Sequence, residues 1–524
     1  MAEEYFTFKI DSLPDDEFLV VNFNGDEGLS ELYRFELTLI SKNKAVDLEQ
    51  ALYGQASLTL QAAEGRRVIS GLLSSFEQGH EFGPYAFYRA VLRPKLWRLT
   101  LTFHNQVFLG QKMPDFLAAL LADGGLNAGR DFEIKLLEEY PEREMTLQYN
   151  ESHYHFLARW LARHGAYYWF METPDGEKVR FSDRAVAHAE LPGGVKLRYA
   201  QPSGLDYGQQ ENIHDFSLRC QPLPKELTLK DYNDQKPGLD LTVERQVSAK
   251  GQGAVYIYGA GFADLDQGRK LAQIRAEEYL CGQMTAAGAS DVRDLRPGYI
   301  FQLENHYRQS CNQRYLAVHL RHEGSQTRYL INGLGLGGLG EEALFYRNNF
   351  RAIPAERQFR PPRPEAGPVL PGFMPAKIDA SGSGQYAELD EQGRYKVRLP
   401  LDQSGRGGGK ASAWLRLMQP YAGPGMGFHA PLHKGAEVLL AFLDGDPDRM
   451  VIAGAVPNPE TPSPVTDADQ TQIKLDSAAG NKIHINDQQG QEVIRMTSEA
   501  SGTLFSMGTI DPEHEAKIKA MGVE

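Results

Sequence analysis

The chain has 524 residues, 41% apolar and 24% charged, with 52 Gly and 29 Pro. This length suits several domains with their own cores, and the composition excludes disorder, collagen-like repeats and small disulfide scaffolds. The formal net charge of −14 makes nucleic acid and anionic lipid poor partners, because Lys and Arg dominate binding to both.

The acidic start lacks the basic-then-apolar order of a signal peptide, and no apolar run approaches the roughly 20 residues of a membrane span. The expectation is a protein made in the cytoplasm, without a stable membrane anchor, and exported, if at all, without a cleavable signal. Cys220, Cys281 and Cys311 form an odd set without metal-type spacing, which reads as reduced thiols.

The first hundred residues alternate as strands do. Phe6, Phe8 and Ile10 share one face, as do Phe35, Leu37 and Leu39. Leu58 and Leu60 lead through Gly65 into Val68 and Ile69, the pattern of a hairpin. Residues 88–99 read as another strand, bent at Pro94. Three helices follow. Pro114 opens one ahead of Phe116, Leu117, Leu120 and Leu121, and Gly124-Gly125 stops it. The second is expected from Glu151 to His164, with Phe156, Leu157, Trp160 and Leu161 on one stripe and Gly165 as a left-handed cap. The third is expected over Leu265–Leu280, with Leu271 and Ile274 inward and Gly282 closing it.

Seven prolines between Pro354 and Pro375 mark a semi-rigid joint. Beyond it, residues 395–399, 413–417 and 437–442 read as strands of a small barrel. A second joint spans Pro457–Pro464. Then Ile473/Leu475 recur as Ile483/Ile485 and as Ile494/Met496, with Gly480 and Gly490 between. Each unit offers a two-residue apolar face that cannot bury itself alone, so it must stack on neighbours or on copies of the chain.

The run from Gly427 through His429, Pro431, His433, Gly435 and Glu437 to Asp444-Gly445-Asp446-Pro447-Asp448-Arg449 resembles the signature of VgrG proteins, the spikes of type VI secretion. Gln148–Phe170, with Glu151, Arg159 and Gly165, is similar to that family's helix-then-strand segment. Ile69-Ser70-Gly71 and Pro94–Trp97 match in the same order, and Trp414 lies in the barrel between them and the signature. Two departures are His153, where an acidic residue is common, and Met450, which follows Arg449 in place of proline.

The resemblance implies a mainly β chain: two β-barrel hub domains with a few helices (1–365), an OB-fold (366–457) and the start of an intertwined trimeric β-prism (458–510). A charged tail (511–524) without the repeat would follow, and the stretch after Pro457 is short for a needle. It also implies a homotrimer on an Hcp-type tube, carrying a PAAR-type tip protein and effector or adaptor proteins, released into a target cell or the medium. Hub-spikes of phage tails or extracellular injection particles, and a spike with a fused effector enzyme, are the alternatives.

Asp444, Asp446 and Asp448 alternate as calcium ligands can, but the EF-hand glutamate is missing and Pro447 intervenes, so a turn is expected, held by Arg449 pairing with Asp446 or Asp448. His153 and His155 should face apart on a helix, and His164 should suit the negative helix end. His429 and His433 lack the helix their spacing would need for metal. Gly333–Gly338 imperfectly resembles a dinucleotide fingerprint, and Gly405–Lys410 fails as a phosphate loop because Ser404 and Ala411 occupy required positions. No catalytic, cofactor or metal residue is expected. Gly71, Trp97, Glu151, Arg159, Gly165, Trp414, Gly427, Pro431, Gly435, Glu437, Asp444, Gly445, Asp446, Pro447, Asp448 and Arg449, with Ile473, Leu475, Ile483 and Ile485, are expected to serve structure and assembly.

Overall fold

The computed structural model describes residues 5–62, 65–192, 194, 196–200, 211–327, 344–363 and 368–509. The chain divides into two compact units, Met1–Val369 and Leu370–Glu524. Gly333–Gly338 and the tail from Asp511 lie outside the described residues.

The alternating segments of the first unit close into a barrel. Strands Phe6–Ile10, Gln55–Ala62, Gly65–Phe82, Tyr85–Arg93, Arg34–Ser41 and Leu19–Gly28 follow one another, and Thr7 pairs with Leu19 to shut the ring. Phe6, Phe8, Ile10, Phe35, Leu37 and Leu39 are all buried within it. A one-residue slip would turn that whole set to solvent, which fixes the register. The expected hairpin pairs Leu58 with Ile69 and Ala62 with Gly65.

A second ring stands beside the first. Strand Arg314–Gln326 pairs with Leu19–Gly28 of the first barrel, from Asn22–Ser325 to Gly28–His319. Strands Tyr299–Glu304, Leu344–Pro354, Met284–Ser290 and Ile213–Cys220 continue it, and Lys196–Arg198 closes it through a Tyr199–Ile213 bridge. Phe216, Phe301, Tyr315 and Phe350 fill its core.

Among the described residues, four α-helices of a turn or more accompany the barrels: α1 (Leu48–Tyr53), α2 (Met113–Asp123), α3 (His153–Arg163) and α4 (Leu265–Gln283). The apolar stripes of α2 and α3 meet in one core that includes Phe116, Leu120, Phe156 and Trp160. The start expected for α3 moves: Glu151 belongs to strand Arg143–Ser152, and Ser152 caps the helix by accepting the His155 N–H at 3.1 Å. Gly165 is left-handed as expected, with φ +67°. Gly282, by contrast, sits inside the last turn of α4, which runs on to Gln283. The strand expected over 88–99 ends at Arg93. Pro94 cannot donate to a ladder, and a 3-10 helix, Lys95–Thr100, begins directly after it.

In the second unit, strands Lys396–Arg398, Phe373–Asp379, Glu437–Phe442 and Met450–Ala455 form a sheet in that order. Pro375 is therefore a strand residue opposite Leu439 and not part of a joint. Residues 413–417 do not form the expected strand. They contribute two isolated bridges, Tyr395–Leu415 and Leu417–Ile452, which link the sheet's outer strands into a partly open barrel. Then comes a meander of four antiparallel strands, Gln472–Asp476, Asn481–Asn486, Val493–Ser498 and Thr503–Gly508.

Candidate functional site

The meander carries its apolar residues in one continuous ladder. Ile473 pairs with Ile485, Leu475 with Ile483, Ile483 with Met496, Ile485 with Ile494, Ile494 with Met507 and Met496 with Phe505. Such cross-strand neighbours stand about 5 Å apart, so they make one stripe. Among the described residues nothing covers that stripe: Ile473 is 60% exposed and Phe505 53%. Gly480, Gly490 and Gly502, with φ of +79°, +82° and +65°, make the left-handed turns between rungs. The fourth rung, Phe505/Met507, escapes a search for isoleucine and leucine pairs, although its spacing of 11 from Ile494/Met496 could have found it.

Polar residues occupy the opposite face. Lys474 stands beside His484, and His484 beside Arg495. Lys474 pairs with Asp469, Lys482 with Glu499 and His484 with Asp476. One face is thus solvated and one is dry only if something covers it.

The aspartate-rich signature is a closed turn. Leu443 donates its N–H to the Arg449 carbonyl at 2.9 Å, and Arg449 its own to the Asp446 carbonyl at 3.0 Å. The Asp446 side chain accepts the Asp448 N–H at 2.9 Å, Gly445 adopts φ +73°, and Pro447 is buried. Asp444 also takes a left-handed φ, +56°. Arg449 approaches Asp444 at 3.5 Å, an ion pair not among the two expected. Asp444 is largely exposed, so that pair contributes little. Glu437 begins the preceding strand and accepts from the Asn458 amide at 2.6 Å, tying strand to joint. Gly435 turns into that strand with φ +84°, while Gly427 and Pro431 lie exposed on the loop before it. Lys396 lies 4.6 Å from the Trp414 ring.

The hub residues are structural in the same sense. Gly71 faces the Arg93 carbonyl so closely that a Cβ would lie 2.1 Å from its oxygen. Trp97 sits in the 3-10 turn and donates its N–H to the Pro94 carbonyl at 2.9 Å. Arg159 grips Glu151 through Nε and Nη2, donates to the Leu147 carbonyl at 3.0 Å, and stacks 4.7 Å from the Phe156 ring. A Cβ on Gly165 would meet Ile274 at 2.7 Å and Arg360 at 2.9 Å, and Arg360 donates to the Gly165 carbonyl at 2.6 Å.

The histidines divide as their spacing suggests. His153 is buried, with Nε2 2.7 Å from Asp123, while His155 is exposed. His164 corrects an expectation: burial, with Arg163, Arg143 and Arg275 nearby, holds it well below its usual value, so it brings no charge to the helix end. Arg275 does that instead, donating to the carbonyls of Ala162 and Arg163 at 3.3 and 2.8 Å. His429 lies in a loop against Tyr395 and Gln419. The loop at Gly405–Lys410 cradles an anion of its own chain, for Gly408 and Gly409 donate to the Asp379 carboxylate at 3.0 and 2.7 Å. All three cysteines are free. Among the described residues, no group of three or more His, Cys, Asp or Glu is suited to a metal, and no helix is long and apolar enough to cross a membrane.

Paired barrels, a small, partly open barrel and an uncovered ladder form the arrangement expected of a hub followed by an injector module. Two family models match: the phage tail baseplate hub (GPD) over residues 26–328, and the type VI secretion system/phage-baseplate injector OB domain over 386–456. The chain belongs to the VgrG family of type VI secretion spike proteins. It is 29% identical over 513 residues to VgrG1b of Pseudomonas aeruginosa, covering 95% of this chain and 68% of that one. VgrG1c of the same organism is 31% identical over 488 residues, with coverage of 91% and 66%. The chain thus spans about two thirds of the length of these curated relatives. Its fold matches an Escherichia coli type VI secretion component, described as similar to the T4 phage tail proteins gp27 and gp5. That match has a TM-score of 0.63 and 24% identity over 86% of this chain and all of the other.

Proposed function

We propose that three copies of this chain assemble as the hub and spike of a type VI secretion machine, seated on an Hcp-type tube and carrying a PAAR-type tip and effector or adaptor proteins out of the cell. The uncovered ladder from Ile473 to Met507 carries this reading. Three such faces wrapped about one axis bury their side chains against each other, at roughly 25 cal/mol for each Å² of apolar area removed from water. Closure also removes strand edges that would recruit other chains.

The part is mechanical and not catalytic. Its glycine-rich loop holds Asp379, its buried His153 holds Asp123, and its aspartate cluster closes a turn. These three motifs, which could each suggest chemistry, are used to hold the fold. In a secreting strain, Ile483→Lys should abolish release of the protein and delivery of its cargo while the hub still folds. Normal delivery by that variant would contradict the proposal.

A further inference from the structure

Glu177 opens strand Gly176–Ser182, where the segment containing α2 and α3 packs against the first barrel. The residue is 7% exposed. Its Oε1 accepts the Lys95 N–H at 2.7 Å, whereas Oε2 has no hydrogen-bond partner. Glu177 also lines a small cavity, whose wall mixes Tyr33, Ile69 and Phe170 with the ion-paired Arg67, Glu172 and Arg296. A buried carboxyl oxygen without a hydrogen-bond partner is costly when ionised and less so when protonated.

The charged groups on every side are engaged elsewhere. On the barrel, Arg67 holds Glu27 at 2.5 Å, and the Tyr33 hydroxyl donates to the Ser70 carbonyl. On the 3-10 turn, Lys95 holds Asp131 at 3.0 Å. Across the cavity, Arg296 holds Glu172 at 3.3 Å and also Asp294. Burial raises Glu177 to about 7; the Lys95 N–H, the Lys95 charge and the backbone N–H of Glu177 itself oppose the rise, and Asp131 adds to it.

We propose that Glu177 is a proton-dependent latch on the seam between the first barrel and the segment carrying α2 and α3. Protonated, the carboxyl is neutral and the seam stays dry. Ionised, the unsatisfied oxygen draws water into the cavity and loosens the Lys95–Thr100 turn from strand Gly176–Ser182. The folded chain binds this proton more tightly than the unfolded chain does. Its contribution is therefore full below the ordinary glutamate value of 4.5 and is lost as pH rises through about 7.

The test compares wild type with Glu177→Gln by unfolding between about pH 5 and about pH 9. Glutamine keeps the size and an acceptor for Lys95 but cannot ionise. Relative to the variant, the wild-type unfolding constant should rise by up to about two orders of magnitude across that range. Parallel profiles would overturn the proposal. A second measurement uses wild type alone. Amide exchange over residues 95–100 and 176–182 should accelerate with pH beyond its chemical rate, while Phe6–Ile10 should not. Uniform behaviour of the three segments would overturn it equally.

Discussion

Ile473 stands directly opposite Ile485 across the first two rungs of the meander, yet 60% of Ile473 remains exposed. The two residues touch along an edge and leave their outer surfaces open. A pair so placed is half of a contact, and the same holds along the ladder to Met507. In a lone chain, Ile483→Lys would change stability little, since Ile483 is already 37% exposed. In an assembly it would place three ammonium groups in one dry layer. Sedimentation velocity should show the variant as monomers while its circular dichroism stays native.

Glu151 and Arg159 form the firmest ion pair among the expected assembly residues, because both are largely buried and the guanidinium makes further contacts. Removing either partner leaves a buried charge without its counterpart, at a cost of about 3–5 kcal/mol. Thermal unfolding of Glu151→Leu and Arg159→Leu should show this loss, and the double variant should recover much of it. Arg159→Lys should fail to rescue, since lysine cannot make the two-pronged grip.

Gly71→Ala would place a methyl group 2.1 Å from the Arg93 carbonyl oxygen, where two barrel strands run side by side. Backbone must move to admit it. A loss of about 1–3 kcal/mol is expected in denaturant unfolding.

Acid should loosen the hub. Burial depresses His188 to about 4 and holds His164 and His322 below their usual value of 6.5. A depressed histidine favours the folded state fully above 6.5, and that contribution is lost as pH falls through its folded value. Glu27, which burial alone would raise, is held at about 2 by Arg67 and His322, so its share is lost only in stronger acid. Thermal unfolding from about pH 7 to about pH 4 should therefore show a falling midpoint, less steep in His188→Gln.

Much of this fold is legible in the sequence because burial imposes a period. The alternation of Phe6, Phe8 and Ile10 and the stripe of Phe156, Leu157, Trp160 and Leu161 locate a barrel strand and a helix correctly. The repeat of Ile473/Leu475 marks a face that the structure leaves open. What escapes is decided by contacts distant in sequence. The 3-10 turn after Pro94 is held by Glu177, which accepts the Lys95 N–H from 82 residues away. The neutrality of His164 depends first on burial, which the tertiary packing decides, and then on Arg163, Arg143 and the distant Arg275. The Gly405–Lys410 loop fails as a phosphate motif at Ser404 and Ala411, and its actual anion, Asp379, escapes the sequence because it lies some thirty positions earlier.

The mass of the purified chain in solution tests the central proposal most directly. Light scattering on a size-exclusion column should give about 175 kDa, three copies of a 58.5 kDa chain, at micromolar concentration. A stable species at the mass of one chain, with the Ile473–Met507 face still exposed to solvent, would contradict it.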